Sequence, residues 1–171
     1  MRESSPLNFG RTFLLLGRLG LGAIFVYAGY VKLALPGMSP RPPLGVALAL
    51  FAMQIDSYQL LPFWAVNSLA HTLPFVELAL GLLLVTGLQV RWVASFSSLL
   101  LAGFFAVMVR TYAKGLEINC GCFGPGEALG VKTLIRDGLL LTLAVGVAFA
   151  AFRAKRAPHP WGAPLEGSPV K

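Results

Sequence analysis

Charge is what this 171-residue chain has least of: Asp, Glu, Lys and Arg together make 12% of it, against about 25% in ordinary soluble domains. Too few solvated groups are present to cover a water-facing globule, and 56% of residues are hydrophobic. The chain as a whole is therefore neither a water-soluble enzyme nor a disordered segment. Cysteine is scarce as well, with two in the chain, too few for a disulfide-stapled secreted scaffold. There is no haem-attachment motif and no glycine-rich nucleotide loop. The fourteen Lys and Arg against seven Asp and Glu leave a net charge of +7. They lie scattered between apolar runs rather than on one polar face, so nucleic acid is not the expected partner. A mean hydropathy of +0.73 points to the lipid bilayer.

A bilayer core about 30 Å thick takes roughly 20 apolar residues of helix. Four stretches are long enough: Thr12 to Leu35, Phe63 to Leu88, Trp92 to Tyr112 and Thr133 to Phe152. A fifth, Leu44 to Ile55, is too short to cross and follows the breaker-rich Pro36 to Pro43. It is expected to lie in or dip into the interface. The fold class is therefore an all-α integral membrane protein, a four-transmembrane-helix bundle with a short interfacial helix between helices 1 and 2. Residues 1–11 form a cytoplasmic N-terminus, 12–152 the membrane domain and 153–171 a disordered, basic, proline-rich cytoplasmic tail. The first span is too long for a signal-peptide core and lacks a cleavage site before Lys32, so it is read as retained.

Basic residues near span ends set orientation. Arg2, Arg11, Arg91, Arg153, Lys155, Arg156 and Lys171 fall on the side of the termini, and Lys32, Arg41, Arg110, Lys114, Lys132 and Arg136 on the other. The tight Gln89-Val90-Arg91 connection and the Arg153-Ala154-Lys155-Arg156 cluster place both termini in the cytoplasm of a cell (inner) membrane protein.

Ionisable groups inside spans need a partner or a purpose. Glu77 sits mid-span on a side chain too short to reach either surface. It either pairs with Arg18, pinning two helices, or faces an internal cavity. Arg18 has the further option of snorkelling to the headgroups. Pro74 removes a helix hydrogen bond and is expected to kink its span. His71 is read as an interfacial hydrogen-bonder; with His159 far away in the tail, no histidine metal site is expected. Arg136 and Asp137 open the fourth span, where the helix dipole suits Asp137 and disfavours Arg136. Arg136 is left to pair with Asp137 or Glu77, or to hold a polar ligand head. The glycines and alanines of the first span are read as helix-packing positions.

The most informative segment is Glu117-Ile118-Asn119-Cys120-Gly121-Cys122-Phe123-Gly124-Pro125-Gly126, placed outside the cytoplasm, where disulfides persist. Two residues of extended chain reach about 6.6–7.2 Å, beyond the Cα spacing of about 4.4–6.8 Å in disulfides. A Cys120–Cys122 bridge therefore needs a bend, which Gly121 permits. So small a ring is strained and labile, and its closure removes little chain entropy. A structural staple is a poor reading and a redox pair a better one. Two thiolates supply only half a zinc site, which leaves a shared or copper(I) site as the lesser alternative. With no cysteine inside the spans, electrons must pass between this pair and a partner protein, and onward to a membrane acceptor, a quinone, or to a second soluble partner.

These motifs carry a resemblance. Gly17-Arg18 through Phe25, Ala28-Gly29, Lys32-Leu33, Tyr58-Gln59-Leu60-Leu61-Pro62, Pro74-Phe75-Val76-Glu77-Leu78, Gly81-Leu82-Leu83, Asn119-Cys120-Gly121-Cys122-Phe123-Gly124 and Leu134-Ile135-Arg136-Asp137 resemble the DoxX-like membrane proteins, and more closely their MauE (methylamine utilisation) branch. The likeness covers roughly residues 10–152. It implies a four-helix bundle, thioredoxin-like extracytoplasmic partners, disulfide formation in secreted redox enzymes and, from the DoxX relatives, quinone-coupled sulfur oxidation. The expected function is a membrane thiol–disulfide oxidoreductase in which Cys120 and Cys122 cycle. Glu77, Arg136, Asp137 and Arg18 would hold a quinone, with Asp137 or Glu77 managing protons. No metal, haem or nucleotide is expected. The expected partners are the bilayer and a thioredoxin-like or secreted cysteine-containing protein. A non-enzymatic assembly factor or anchor for such a redox partner is the alternative, and a small-solute transporter is the last.

Overall fold

The computed structural model describes residues 6–36, 38, 40, 42–116, 118–120 and 128–154. Five helices account for most of them: α1 (Pro6–Ala34), α2 (Leu44–Asp56), α3 (Phe63–Thr86), α4 (Val90–Ala113) and α5 (Val131–Ala154). Four are long and apolar enough to cross a membrane, over Thr12–Ala34, Phe63–Thr86, Val90–Ala113 and Val131–Arg153. The short helix stands between the first two, as its 13 residues require. No strand forms among the described residues. The tail from residue 155 lies outside them, as do residues 1–5.

Local chemistry sets the helix ends. Pro6 opens α1, where a missing N–H costs nothing, and Pro43 and Pro62 stand at the N-caps of α2 and α3. Gly87, at φ +80°, closes α3 in the left-handed conformation, and its N–H donates to the Leu83 carbonyl at 3.0 Å. That terminus lets Leu88 and Gln89 turn the chain directly into α4. α3 runs through Pro74 as one helix.

The outer surface is lipid-like. Leu99, Leu139 and Phe63 are 70%, 67% and 81% exposed, an apolar area that no soluble monomer presents. Trp64, at the start of α3, and Trp92, at the start of α4, are also exposed. They mark opposite ends of the bundle, as interfacial tryptophans do.

α1 packs most extensively on α3, and α4 on α5. The α1–α3 approach is close because Gly22 and Gly81 face each other: a Cβ on Gly81 would lie 2.7 Å from both the Gly22 carbonyl and the Val26 amide nitrogen. Small residues are what allow such contact in lipid, where apolar side chains gain nothing by leaving the solvent. Gly17 and Gly29 also abut neighbouring helices, whereas Gly20 touches nothing within 4 Å. Next to the Gly22–Gly81 contact, Leu21, Phe25, Leu80, Leu84, Val93, Ala94, Ala144, Val147 and Ala148 form the main core. It fills the half of the bundle nearest the α3–α4 turn. The other half is bridged by α2, whose Phe51 packs with Ala70 and Leu73.

Gly81→Ala is expected to lower the thermal unfolding midpoint in detergent by several degrees, an overpacking cost of about 1–3 kcal/mol. Gly103→Ala, with nothing within 4 Å of the added carbon, should leave the midpoint unchanged or slightly raised. Equal behaviour of the two variants would show that the helices do not touch at Gly81.

Candidate functional site

A cavity of about 70 Å³ lies in the half of the bundle bridged by α2. Its walls come from all five helices and from the segment linking α4 to α5. They are largely apolar, with Phe25, Phe51, Ile55, Phe104 and Met108 among them, but Lys32, Glu77, Tyr58, Cys120 and Asp137 also line it.

Lys32 and Glu77 form an ion pair, with Nζ 2.9 Å from Oε1 and 2.8 Å from Oε2. Both residues are buried, 4% and 6% exposed. Helix geometry explains how a lysine near the end of α1 meets a glutamate in mid-span. Side chains tilt towards the N-terminus of their own helix. α1 and α3 run antiparallel, so Lys32 leans inward while Glu77 leans to meet it. The ammonium also reaches the Ala28 carbonyl one turn back, at 3.5 Å, and lies 5.4 Å from the centre of the Phe51 ring. This corrects the expected pairing of Glu77: its partner is Lys32, which the sequence reading had set among the outer-surface charges, and neither Arg18 nor Arg136. The clue in the sequence was Glu77 itself, since a buried carboxylate demands a cation. Counting Lys32 with the basic residues at the span ends hid it.

Cys120 is 5% exposed and its backbone is fixed. Tyr58, just beyond α2, donates its hydroxyl to the Cys120 carbonyl at 2.8 Å. The flanks of the cysteine loop are pinned together by an antiparallel bridge between Asn119 and Ala128. The Leu129 amide donates to the Ile118 carbonyl at 2.8 Å, and the Thr133 hydroxyl donates to the Ala128 carbonyl at 3.1 Å. Asn119 is exposed while Cys120 is buried, the alternation of an extended segment. Cys122, and with it the proposed bend at Gly121, lies outside the described residues.

Arg136 donates from Nε to Asp137 Oδ1 at 2.8 Å. Of the two acids open to Arg136 in the sequence, it pairs with Asp137. The pair sits in the second turn of α5, which begins at Val131, beyond the reach of the terminal dipole; the dipole explanation for Asp137 therefore falls. Asp137 is 5% exposed, and its Oδ2 has no hydrogen-bond partner among the described residues. Arg18 does not line the cavity. Its guanidinium lies against Gly87 at the C-terminal end of α3, where a cation suits the helix dipole. His71 is exposed and donates from Nδ1 to the Asn67 carbonyl at 2.8 Å. Among the described residues, no three His, Cys, Asp or Glu side chains converge as metal ligands would.

Lys32→Met strands a buried carboxylate and should destabilise the protein by about 3–5 kcal/mol. Adding Glu77→Leu should recover most of that loss. Thermal unfolding in detergent reads both, and a double variant no more stable than the single would refute the pairing.

No curated protein and no solved structure matches this sequence. One family model does, over residues 10–150, under the description methylamine utilisation protein MauE. That stretch takes in three of the four candidate spans whole, most of the fourth and the cysteine segment, and the chain belongs to the MauE family.

Proposed function

We propose that this protein is a membrane thiol–disulfide oxidoreductase. Cys120 and Cys122 exchange with a thioredoxin-like or secreted cysteine-containing partner outside the cytoplasm, and the electrons pass to or from a membrane quinone. The observation that carries this reading is the place of Cys120. It shares one apolar cavity with a buried ion pair and with Asp137, whose Oδ2 has no hydrogen-bond partner among the described residues. Membership of the MauE family supports a membrane protein concerned with methylamine utilisation. The likeness of the same motifs to DoxX-like proteins supports the link to quinone.

The donor set fits a quinone in chemistry. Aromatic and aliphatic walls suit the ring, the Lys32 ammonium is a donor suited to a quinone oxygen, and Asp137 Oδ2 would accept from a hydroxyl of the reduced form rather than contact the quinone itself. When bound, a quinone supplies a two-electron, two-proton acceptor. Size places one demand on the protein. An apolar cavity of about 150 Å³ admits benzene, and this one is about 70 Å³, so one wall must yield. α2 is the wall least firmly held: it is the shortest helix and buries only Ala47, Leu48 and Phe51.

The orientation proposed from the sequence gains support as well. With Lys32 inside the bundle, the end carrying the cysteine loop has one basic surface residue fewer. The positive-inside rule then favours the other end, with both termini, as cytoplasmic.

In lipid nanodiscs, the wild-type pair should be oxidised by decylubiquinone and should exchange with thioredoxin, as followed by thiol trapping. Cys120→Ser with Cys122→Ser should abolish both reactions. A double variant that supports partner maturation in cells as well as wild type would leave an assembly factor in place of an oxidoreductase.

A further inference from the structure

We propose that Asp137 is the proton carrier of the cysteine pair, the carboxylate that takes up a thiol proton at Oδ2 as the disulfide forms and returns it on reduction. This rests on the thiol–disulfide reading and deepens it, by deciding between the two acids that the sequence left in contention.

The thiolate is the reactive form of cysteine, so a thiol proton must leave before sulfur can react. Cys120 is buried on an apolar wall, where water cannot accept that proton freely. A base in the same cavity is needed. The titratable and charged groups there are few. α1 contributes Lys32, the turn after α2 contributes Tyr58, α3 contributes Glu77 and α5 contributes Asp137 with its neighbour Arg136; α4 presents only Leu101, Phe104 and Met108. Glu77 is committed, since both its oxygens accept from the Lys32 ammonium at 2.9 and 2.8 Å. Protonating it would break a doubly bonded buried pair and leave Lys32 charged in an apolar wall. Asp137 is held through one oxygen only. Arg136 fixes Oδ1, while Oδ2 is buried without a partner among the described residues. An unsatisfied buried acceptor is costly, and its residue lines the same cavity as Cys120. Glu77 is thus the fixed half of a dipole, and Asp137 the acid with a site to fill.

The step balances. Cys120 and Cys122 lose two thiol protons and two electrons as one S–S bond forms. An acceptor of the quinone class gains the two electrons and two protons and leaves as the hydroquinone. The Cys120 proton travels by way of Asp137 Oδ2, which ends the turnover unprotonated; the second thiol proton is released to the medium, and the quinone draws its second proton from there. The reverse direction uses the same atoms.

The test is single-turnover oxidation of the pre-reduced full-length protein in nanodiscs, with decylubiquinone in one arm and oxidised thioredoxin in the other. Alkylation quench reads both arms. Wild type should be nearly independent of pH from 6 to 8. Asp137→Asn should be slower at pH 6 by about 10²–10⁴-fold, the usual worth of a positioned proton-transfer group, and should recover roughly tenfold per pH unit as solution base takes over. Asp137→Glu should restore most of the rate. Asp137→Ala should be rescued by added formate in a saturable manner, an effect that a purely structural role would not produce. Two further readouts should not move: decylubiquinone binding by equilibrium dialysis, and the disulfide fraction in a glutathione buffer. A fast Asp137→Asn variant with a flat pH profile would overturn the assignment, as would losses that neither pH, Glu nor formate restores. The controls separate the two ideas. A double cysteine variant as active as wild type overturns the oxidoreductase reading, whereas an inactive one beside an unimpaired Asp137→Asn overturns the role of Asp137 alone.

Discussion

A lysine and a glutamate that meet where there is no water organise the cavity half of this bundle. Each charge alone would be costly within lipid, and together they largely cancel the penalty without gaining much over an apolar pair. Stability is therefore a poor reason for Lys32 and Glu77 to be present. What the pair contributes is position. It joins α1 to α3 above their glycine contact, and the Phe51 ring beside the ammonium brings α2 into the same arrangement. It also prevents collapse, because apolar side chains closing over both charges would have to satisfy them as well.

The two halves of the bundle are built on different principles. Near the α3–α4 turn, Leu21, Leu84, Ala94 and Val147 are fully buried, and helices meet through glycine and leucine in close packing. On the far side, a short helix bridges the opening and polar groups replace aliphatic ones. Close packing at one end and a looser wall at the other suit a site that must hold a shape yet admit a ligand. α2 is short because Pro42 and Pro43 precede it and the Ser57–Gln59 turn ends it. It cannot extend to become a fifth span.

Most of the fold was legible in the sequence because the bilayer imposes a length, and twenty apolar residues admit few structures besides a helix. The four spans and the short helix fall within a few residues of their expected limits. Glycines were legible in kind but not in detail: Gly22 makes a contact that Gly20 does not, and only the rotation of α1 against α3 decides which. The site was legible in part. Cys120, Glu77 and Asp137 were recognisable as residues needing explanation, and all three line one cavity. Their partners were hidden, for the choice of partner depends on three-dimensional direction. Lys32 leans inward because side chains point back along their helix, and Arg18 belongs to the end of α3 because Gly87 leaves room for it. Tyr58 stood in one of the resembling motifs, but nothing there signalled its hydrogen bond to a backbone carbonyl 62 residues away.

Two cysteines in the whole chain bear on how any redox reaction here must be arranged. Electrons cannot be relayed from thiol to thiol across the membrane, so each reacting partner has to come to the same pair. The ends of the loop meet that requirement in their geometry. Asn119 faces outward and Cys120 inward on successive residues, and the Asn119–Ala128 bridge fixes which is which. On the proposed reading, a soluble partner would meet the exposed face of such a segment and a lipid-soluble one the wall of the cavity. Tyr58 couples the two, because the residue that fixes the Cys120 backbone also follows directly on α2. Outward movement of α2 would then loosen Cys120 in the same motion that enlarges the cavity.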